Sequence, residues 1–500
     1  MRRILLLSLL LLSGRLEADV ALSALFQDHL VLQRGRPVPI WGRAAPGEGV
    51  TVRFGRQEVS TTATADGRWL VRLDAMEASS TPAPLVVTGK TTVTVNDVVV
   101  GEVWLCSGQS NMEWPVSLSD RADAEIAAAK FPLIRQFRVA RAVADAPTEA
   151  LEGAWTTATP DQVGGFTAVG YFFARHLHRK LGVPIGLIHS SWGGTPIEAW
   201  MSPAALASDP AFAVVRERWQ AALAEYPSRQ AAYEKDLAAW TAEAEAAKAA
   251  GKPHLRRKPA PPPGPAHPST PAGLYHGMIH PLLPVALRGA LWYQGESNAG
   301  RAAEYQALFP ALITHWRAHF GQGDFPFYWV QLANYKAGPP NDLSWPLLRE
   351  AQGRALALPA TGQAVAIDIG DPDDIHPRNK QEVGRRLALL AMVRTYGFTG
   401  DDSGPVFAGA TRERSALRVR FEHAWTGLIA RDKPLQSFEV AGDDRVFYPA
   451  TAAIEGDTLL VRAPEVRAPV AVRYAWRSAP EANLTNGAGL PAAPFRSDTW

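Results

Sequence analysis

Five hundred residues, 47% of them hydrophobic and 20% charged, are more than one core organises, so a soluble chain of several domains is expected. A formal net charge of +2 gives nucleic acid no basic field to bind, and there is no acidic tail. The single cysteine, Cys106, excludes an intramolecular disulfide and a multi-thiolate zinc site.

The first residues read as a targeting segment. Met1-Arg2-Arg3 is basic, Ile4 to Leu12 is apolar apart from Ser8, and Leu16-Glu17-Ala18 offers a small residue for cleavage. Residues 1–18 are therefore expected to be a secretory signal. The apolar run is shorter than the ~20 residues a membrane span needs, and no cysteine follows for a lipid anchor. The expected location is the periplasm or the exterior, with no membrane attachment after cleavage. An exported protein without disulfides fits a bacterial setting.

Residues 19–100 alternate apolar and polar side chains in short runs, with Asp66-Gly67 as a hairpin signal. This pattern predicts an N-terminal β-sandwich domain. From 101 to 400 strands and helices alternate. Strands are expected at Val103–Cys106, Arg135–Val139, Ile185–His189, Gly289–Tyr293, Phe327–Leu332 and Ala364–Ile369. Helical periodicity lies between several of them: in "GYFFARHLHRKLGVP", Phe172, Phe173, Leu177 and Leu181 share one face. The expected class is α/β, a doubly wound parallel sheet with its ligand site at the carboxyl ends of the strands. About residues 205–272 interrupt the alternation with a solvated helix and "PAPPPGPAHPSTP", which reads as an insertion. After residue 401 short strands return, giving a second flanking β region.

Four polar clusters fall just past expected strands. They are Gln109-Ser110-Asn111, Ser190 to Thr195, Gln294 to Asn298, and Asp371 to Pro377. In an open sheet these ends share one rim. A serine hydroxyl needs a base to act as a nucleophile, and His376, set among carboxylates, is the best candidate base for Ser110. Singly, each is as readily a turn residue; as a pair they point to catalysis. A tetrahedral oxyanion needs preorganised donors. The backbone N–H groups of Ser110 and of Gly193 or Gly194 are natural suppliers, and an amide from Gln294 or Asn298 would complete the set. "GQSNMEW" does not match the Gly-x-Ser-x-Gly elbow of α/β-hydrolases.

The stretches "WLCSGQSNMEW", "SSWGGTPIEAW", "LWYQGESNA" and "GDPDDIHPRNKQEVGRRLA" resemble, in order, the motif set of the sialate O-acetylesterase family. That family is a branch of the SGNH hydrolases and is similar to some acetylxylan esterases. The resemblance spans most of residues 101–400. It implies an SGNH-hydrolase-like fold, Ser110 as nucleophile, His376 as base, and oxyanion donors from the Trp192-Gly193-Gly194 and Gln294–Asn298 stretches. It leaves the acid open. The Asp-x-x-His spacing selects Asp373, the Asp-Ile-His-Pro string highlights Asp374, and Asp371 is a third option. No cofactor and no metal are implied.

The resulting expectation is a serine esterase that removes O-acetyl groups from an acetylated sugar or glycan, O-acetylated sialic acid first and acetylated xylan or another polysaccharide as the alternative. Gln109, Asn111, Trp114, Trp192 and Glu296 are expected to brace the nucleophile turn or meet the sugar. Other readings are a glycosidase built on Glu296 and a second carboxylate, and a non-catalytic carbohydrate-binding protein. Sequence leaves the oligomeric state open.

Overall fold

The strand Thr92–Gly108, 17 residues long, organises the molecule. The computed structural model describes residues 19–339 and 342–500, so the expected signal, residues 1–18, lies outside the described residues. The amino-terminal half of this strand pairs antiparallel with Ser79–Thr88 and parallel with Val31–Gln33. Its carboxyl-terminal half pairs parallel with Ile185–Ser191 on one side and Gly289–Tyr293 on the other. One strand thus runs through the expected domain boundary at residue 100.

Phe131–Val139 lies beyond Ile185–Ser191, and Phe327–Val330 and Thr361–Ala364 lie beyond Gly289–Tyr293, all in parallel. An antiparallel edge strand, Gly153–Ala158, closes one side. Successive strand residues feed opposite layers. Leu105, Trp292 and Trp329 join the core under the helices Ala302–Phe320 and Ser344–Arg354. Trp104, Cys106, Tyr293 and Tyr328 join the core under Ala168–Leu181 and Lys380–Leu390. This is a doubly wound α/β sheet. Connections leave the central strand first to one side and then to the other, so Ser110 emerges at the topological switch point, where such sheets bind ligands.

The N-terminal region is a sandwich. Ala21–Leu22, Val38–Arg43 and Arg68–Leu73 form one sheet, and Ile40 and Val71 pack onto Val50, Val52 and Val87 of the other. The C-terminal region is a seven-stranded antiparallel sheet running from Val406–Glu413 at one edge to Phe495–Arg496 at the other. The expected strand Ala364–Ile369 is corrected: the strand is Thr361–Ala364. The chain then turns because Val365 and Ile367 are used in the C-terminal core, while Arg386 Nη1 takes the carbonyl of Val365 at 2.6 Å.

Within the insertion, Ala213–Ala249 is one helix of 37 residues in which Val215 is the buried residue. The return segment lies along it. Trp240 Nε1 donates to the carbonyl of Arg256 at 2.8 Å, and the ring of Tyr226 packs on Gly264. Tyr226 and Trp240 are fourteen apart and so share a helix face.

Candidate active site

The turn after the central strand is built for glycine. Gly108 has φ of +132°, and a Cβ there would stand 2.2 Å from the carbonyl oxygen of Tyr293. The same close approach lets Gln109 N–H donate to that oxygen at 2.9 Å. Ser110 then opens a short helix, Ser110–Glu113, so its N–H is an orphan donor of a helix N-terminus. Gln109 Oε1 accepts from the N–H groups of Gly295 and Ser297 at 3.4 and 3.3 Å, bracing the neighbouring loop.

The histidine loop is pinned by two Asx turns. Asp371 Oδ1 accepts from Asp373 N–H and Asp374 Oδ1 from His376 N–H, both at 2.9 Å. Asn111 Nδ2 holds the carbonyl of Ile375 at 3.0 Å, tying this loop to the serine turn. The structure thereby brings together residues 266 apart in sequence: His376 Nε2 lies 2.9 Å from Ser110 Oγ.

The two candidate acids part company. Asp374 Oδ1 faces His376 Nδ1 at 3.5 Å, an electrostatic contact longer than a hydrogen bond. Asp373 turns to Lys336 Nζ at 2.8 Å with its side chain 79% exposed, and Asp371 bonds within its own turn. The structure therefore removes Asp373 from the histidine, since Lys336 is the nearer countercharge.

Aromatic and charged groups enclose the pair. His376 stacks on Trp114 with ring centroids 4.8 Å apart and planes at 16°. Trp114, expected to meet sugar, thus spends one face on the histidine. Burial and the charge of Lys380 lower the pKa of His376, and Asp374 opposes them. Lys380 is fully buried, donates to Asn111 Oδ1, and lies over the ring of Tyr293. Burial lowers its pKa to about 7, against the pull of Glu296 and Asp374. Glu296 Oε1 accepts from Asn111 Nδ2 at 2.6 Å, its Oε2 is buried without a partner, and burial raises its pKa. Through Asn111, Glu296 holds the serine turn. Cys106 is a buried thiol inside the strand, its pKa pushed up by burial.

The expected oxyanion donors are mostly occupied. Gly193 lies against Ser110, where a Cβ would be 3.1 Å from the serine Cβ, yet its N–H donates to Glu113 Oε2 at 2.9 Å. Gln294 Nε2 is spent on the carbonyl of Thr195 and on Asn298 Oδ1, at 3.2 and 2.7 Å. Asn298 in turn accepts from Ile197 N–H and donates to Glu198 Oε2, each at 2.9 Å. Both amides are fully buried and lock two loops together. Gly194, at φ +77°, completes the turn.

Sequence reasoning passed over Glu113, Arg141 and Lys380. Arg141 pairs with Glu113 and lies 5.2 Å from the ring centroid of Trp192, so one charge spans the serine helix and the glycine loop. Glu113 was legible as the residue three after Ser110 on a helix face. Lys380 carried a signal too: a cation at the first position of a helix opposes the macrodipole.

Comparison with known proteins places the chain in a family. A family model described as "Carbohydrate esterase, sialic acid-specific acetylesterase" matches residues 100–232 and 272–392, leaving unmatched residues 233–271, the later part of the insertion. The chain is 33% identical over 461 residues to a sialate O-acetylesterase of Rattus norvegicus, covering 83% of this chain and 81% of that one. It is 32% identical to a sialate O-acetylesterase of Homo sapiens, covering 91% and 88%. The crystal structure of a novel carbohydrate acetylesterase from Xanthomonas citri superposes with a TM-score of 0.82 at 41% identity, covering 96% of this chain and 100% of that one. A serine and a histidine meeting at the switch point of a doubly wound sheet, in a chain that tracks these relatives along most of its length, lead to one assignment: the protein belongs to the sialate O-acetylesterase family of carbohydrate esterases.

Proposed function

We propose that the protein is an exported serine esterase that removes O-acetyl groups from a carbohydrate by an acetyl-enzyme mechanism, with O-acetylated sialic acid as the favoured substrate. The observation that carries the mechanism is the 2.9 Å contact between Ser110 Oγ and His376 Nε2 at the carboxyl rim of the sheet. Support for sialic acid comes from the names of the relatives.

In the proposed reaction Ser110 Oγ attacks the acetyl carbonyl carbon as His376 Nε2 takes the hydroxyl proton. The carbonyl π electrons move onto oxygen, and the Ser110 N–H at the helix start stabilises that charge. Collapse breaks the bond to the sugar oxygen, which leaves with the proton from His376. Water, deprotonated by the same nitrogen, attacks the acetyl-enzyme. Acetate departs as the proton returns to Ser110. Asp374 stabilises the imidazolium in both halves.

The deciding experiment measures acetate release from O-acetylated sialic acid and from acetylated xylan, with the Ser110→Ala variant as control. Faster release from the sialic acid, abolished by the substitution, is expected. Faster release from xylan replaces the substrate, and undiminished release by the variant overturns the mechanism. Export is tested by sequencing the mature N-terminus, which should begin at about Asp19.

A further inference from the structure

The outward face of the N-terminal sheet carries a charge pattern that works against the stability of the sheet itself. In the strand pair Val38–Arg43 and Arg68–Leu73, Arg43 sits directly opposite Arg68, Trp41 opposite Leu70, and Pro39 opposite Arg72. The residues between them, Ile40, Trp69, Val71 and Leu73, are buried in the sandwich, so these six share the other face. Like charges directly opposite across a strand pair are destabilising.

That face is walled by the catalytic domain. Leu283 and Pro284 rise beside it and, with Leu70, are common to two adjoining cavities of about 1090 and about 640 Å³. The two form one groove along the domain junction, a usual place for ligand sites. Arg36 and Arg72 line its second chamber and Arg43 and Arg68 its first, against the single lining carboxylate of Glu149. Glu149 reaches across from the catalytic domain and bridges the opposed pair, with Oε2 2.5 Å from Arg43 and Oε1 3.2 Å from Arg68. Asp66, outside the groove lining, holds Arg68 Nε at 2.6 Å. Arg43, Arg68 and Glu149 are all roughly half exposed, so the bridge is weakly held and readily exchanged.

We propose that this groove binds an anionic glycan, with a sugar carboxylate replacing Glu149 between Arg43 and Arg68 and a sugar ring lying on Trp41. The proposal rests on the carbohydrate-esterase reading and deepens it, because it names acidic polymers as the substrate class. Charge complementarity commits the occupant: four guanidiniums and an aromatic platform suit a carboxylated sugar chain. The groove also connects to the nucleophile through one strap of chain. Arg141 pairs with Glu113 beside Ser110, and eight residues later Glu149 enters the groove. Fully extended chain covers ~3.3–3.6 Å per residue, so the two lie within about 30 Å along the strap. A polymer reaching both presents its acetyl groups to Ser110 while anchored at a distance.

The test uses the full chain carrying Ser110→Ala, titrated by fluorescence anisotropy with a labelled oligosialic acid and with the same oligosaccharide after reduction of its carboxyl groups to alcohols. Binding of the charged form, and loss on reduction, are expected. Adding Arg43→Gln with Arg68→Gln should weaken binding about tenfold, whereas adding Glu149→Gln should tighten it several-fold by freeing the two arginines. The same groove substitutions in the Ser110 protein should leave hydrolysis of a small acetyl ester unchanged. Equal binding of both oligosaccharides, no response to the arginine changes, weaker or unaltered binding by Glu149→Gln, or occupation of the groove by a second copy of the chain would each overturn the proposal. Failure of the esterase reading would appear separately, as absent acetate release from the Ser110 protein whatever the anisotropy shows.

Discussion

Trp114 and His376 lie ring on ring, centroids 4.8 Å apart, and the histidine so held keeps Nε2 2.9 Å from Ser110 Oγ. The ring's nearest carboxylate stands at 3.5 Å, so stacking on Trp114 is a second hold on its orientation. Trp114→Ala is therefore expected to lower kcat on a small acetyl ester by ~10–100-fold, since a misplacement of about 1 Å carries costs of that order. Trp114→Phe, which keeps an aromatic face, should recover much of it. Steady-state kinetics of both variants check the point; equal losses would show that the indole serves elsewhere.

Removing Ser110 or His376 should each cost ~10³-fold or more in acetate release. Because the proposed mechanism has the two act as a unit, the double variant should be no slower than the slower single variant. Additive losses, measured by acetate release over long incubations, would mean that the contact is incidental.

Between the neighbouring aspartates the structure sets an order. Asp374→Asn removes the charge facing His376 Nδ1 and should lower kcat by ~10-fold, a modest cost for a partly exposed acid. Asp373→Asn loses a solvent-exposed pair with Lys336 and should stay within about twofold. Comparing the two kcat values decides it, and a larger loss at Asp373 would overturn the assignment.

The pH profile follows from burial. In the proposed mechanism His376 acts as a base in its neutral form, and its pKa is lowered, so activity should persist somewhat below pH 6.5 and fall only as pH drops through the depressed value. Lys380 is the second cause of that depression, behind desolvation. Lys380→Met removes the charge, so the pKa of His376 should rise and the acid limb should move to higher pH. Profiles of kcat/KM for both proteins test the sign. A limb that stays put or moves acidward would assign Lys380 to holding Asn111 alone.

Gly108→Ala should be severe without touching chemistry directly. A φ of +132° is hostile to any side chain, and the added Cβ would meet a strand carbonyl rather than a yielding side chain. A stability loss of more than ~2 kcal/mol is expected, within the class of substitutions that break a special backbone site. Denaturant unfolding of the variant would measure it.

The residues legible in the sequence were those whose chemistry is intrinsic. Ser110 and His376 stood just past apolar runs, and strand-to-loop order placed them on one rim. The sandwich and the doubly wound sheet followed from periodicity. What eluded the sequence was partnership. Nothing local says that the N–H of Gly193 belongs to Glu113, or that Gln294 and Asn298 are consumed in fastening two loops. Those facts depend on which side chains arrive from the neighbouring strand. Val365 and Ile367 misled for a related reason: an apolar run long enough for a strand is also what a second core recruits.

The strand Thr92–Gly108 limits where the molecule can be divided. At ~3.3 Å per residue it runs about 55 Å, carrying sandwich pairings at one end and the serine turn at the other. A recombination joint near residue 100 would cut both ladders at once, leaving an unpaired edge in one piece and a nucleophile without its strand in the other. Sandwich and parallel sheet therefore share one backbone ladder, and neither can be freed at residue 100 without opening the other.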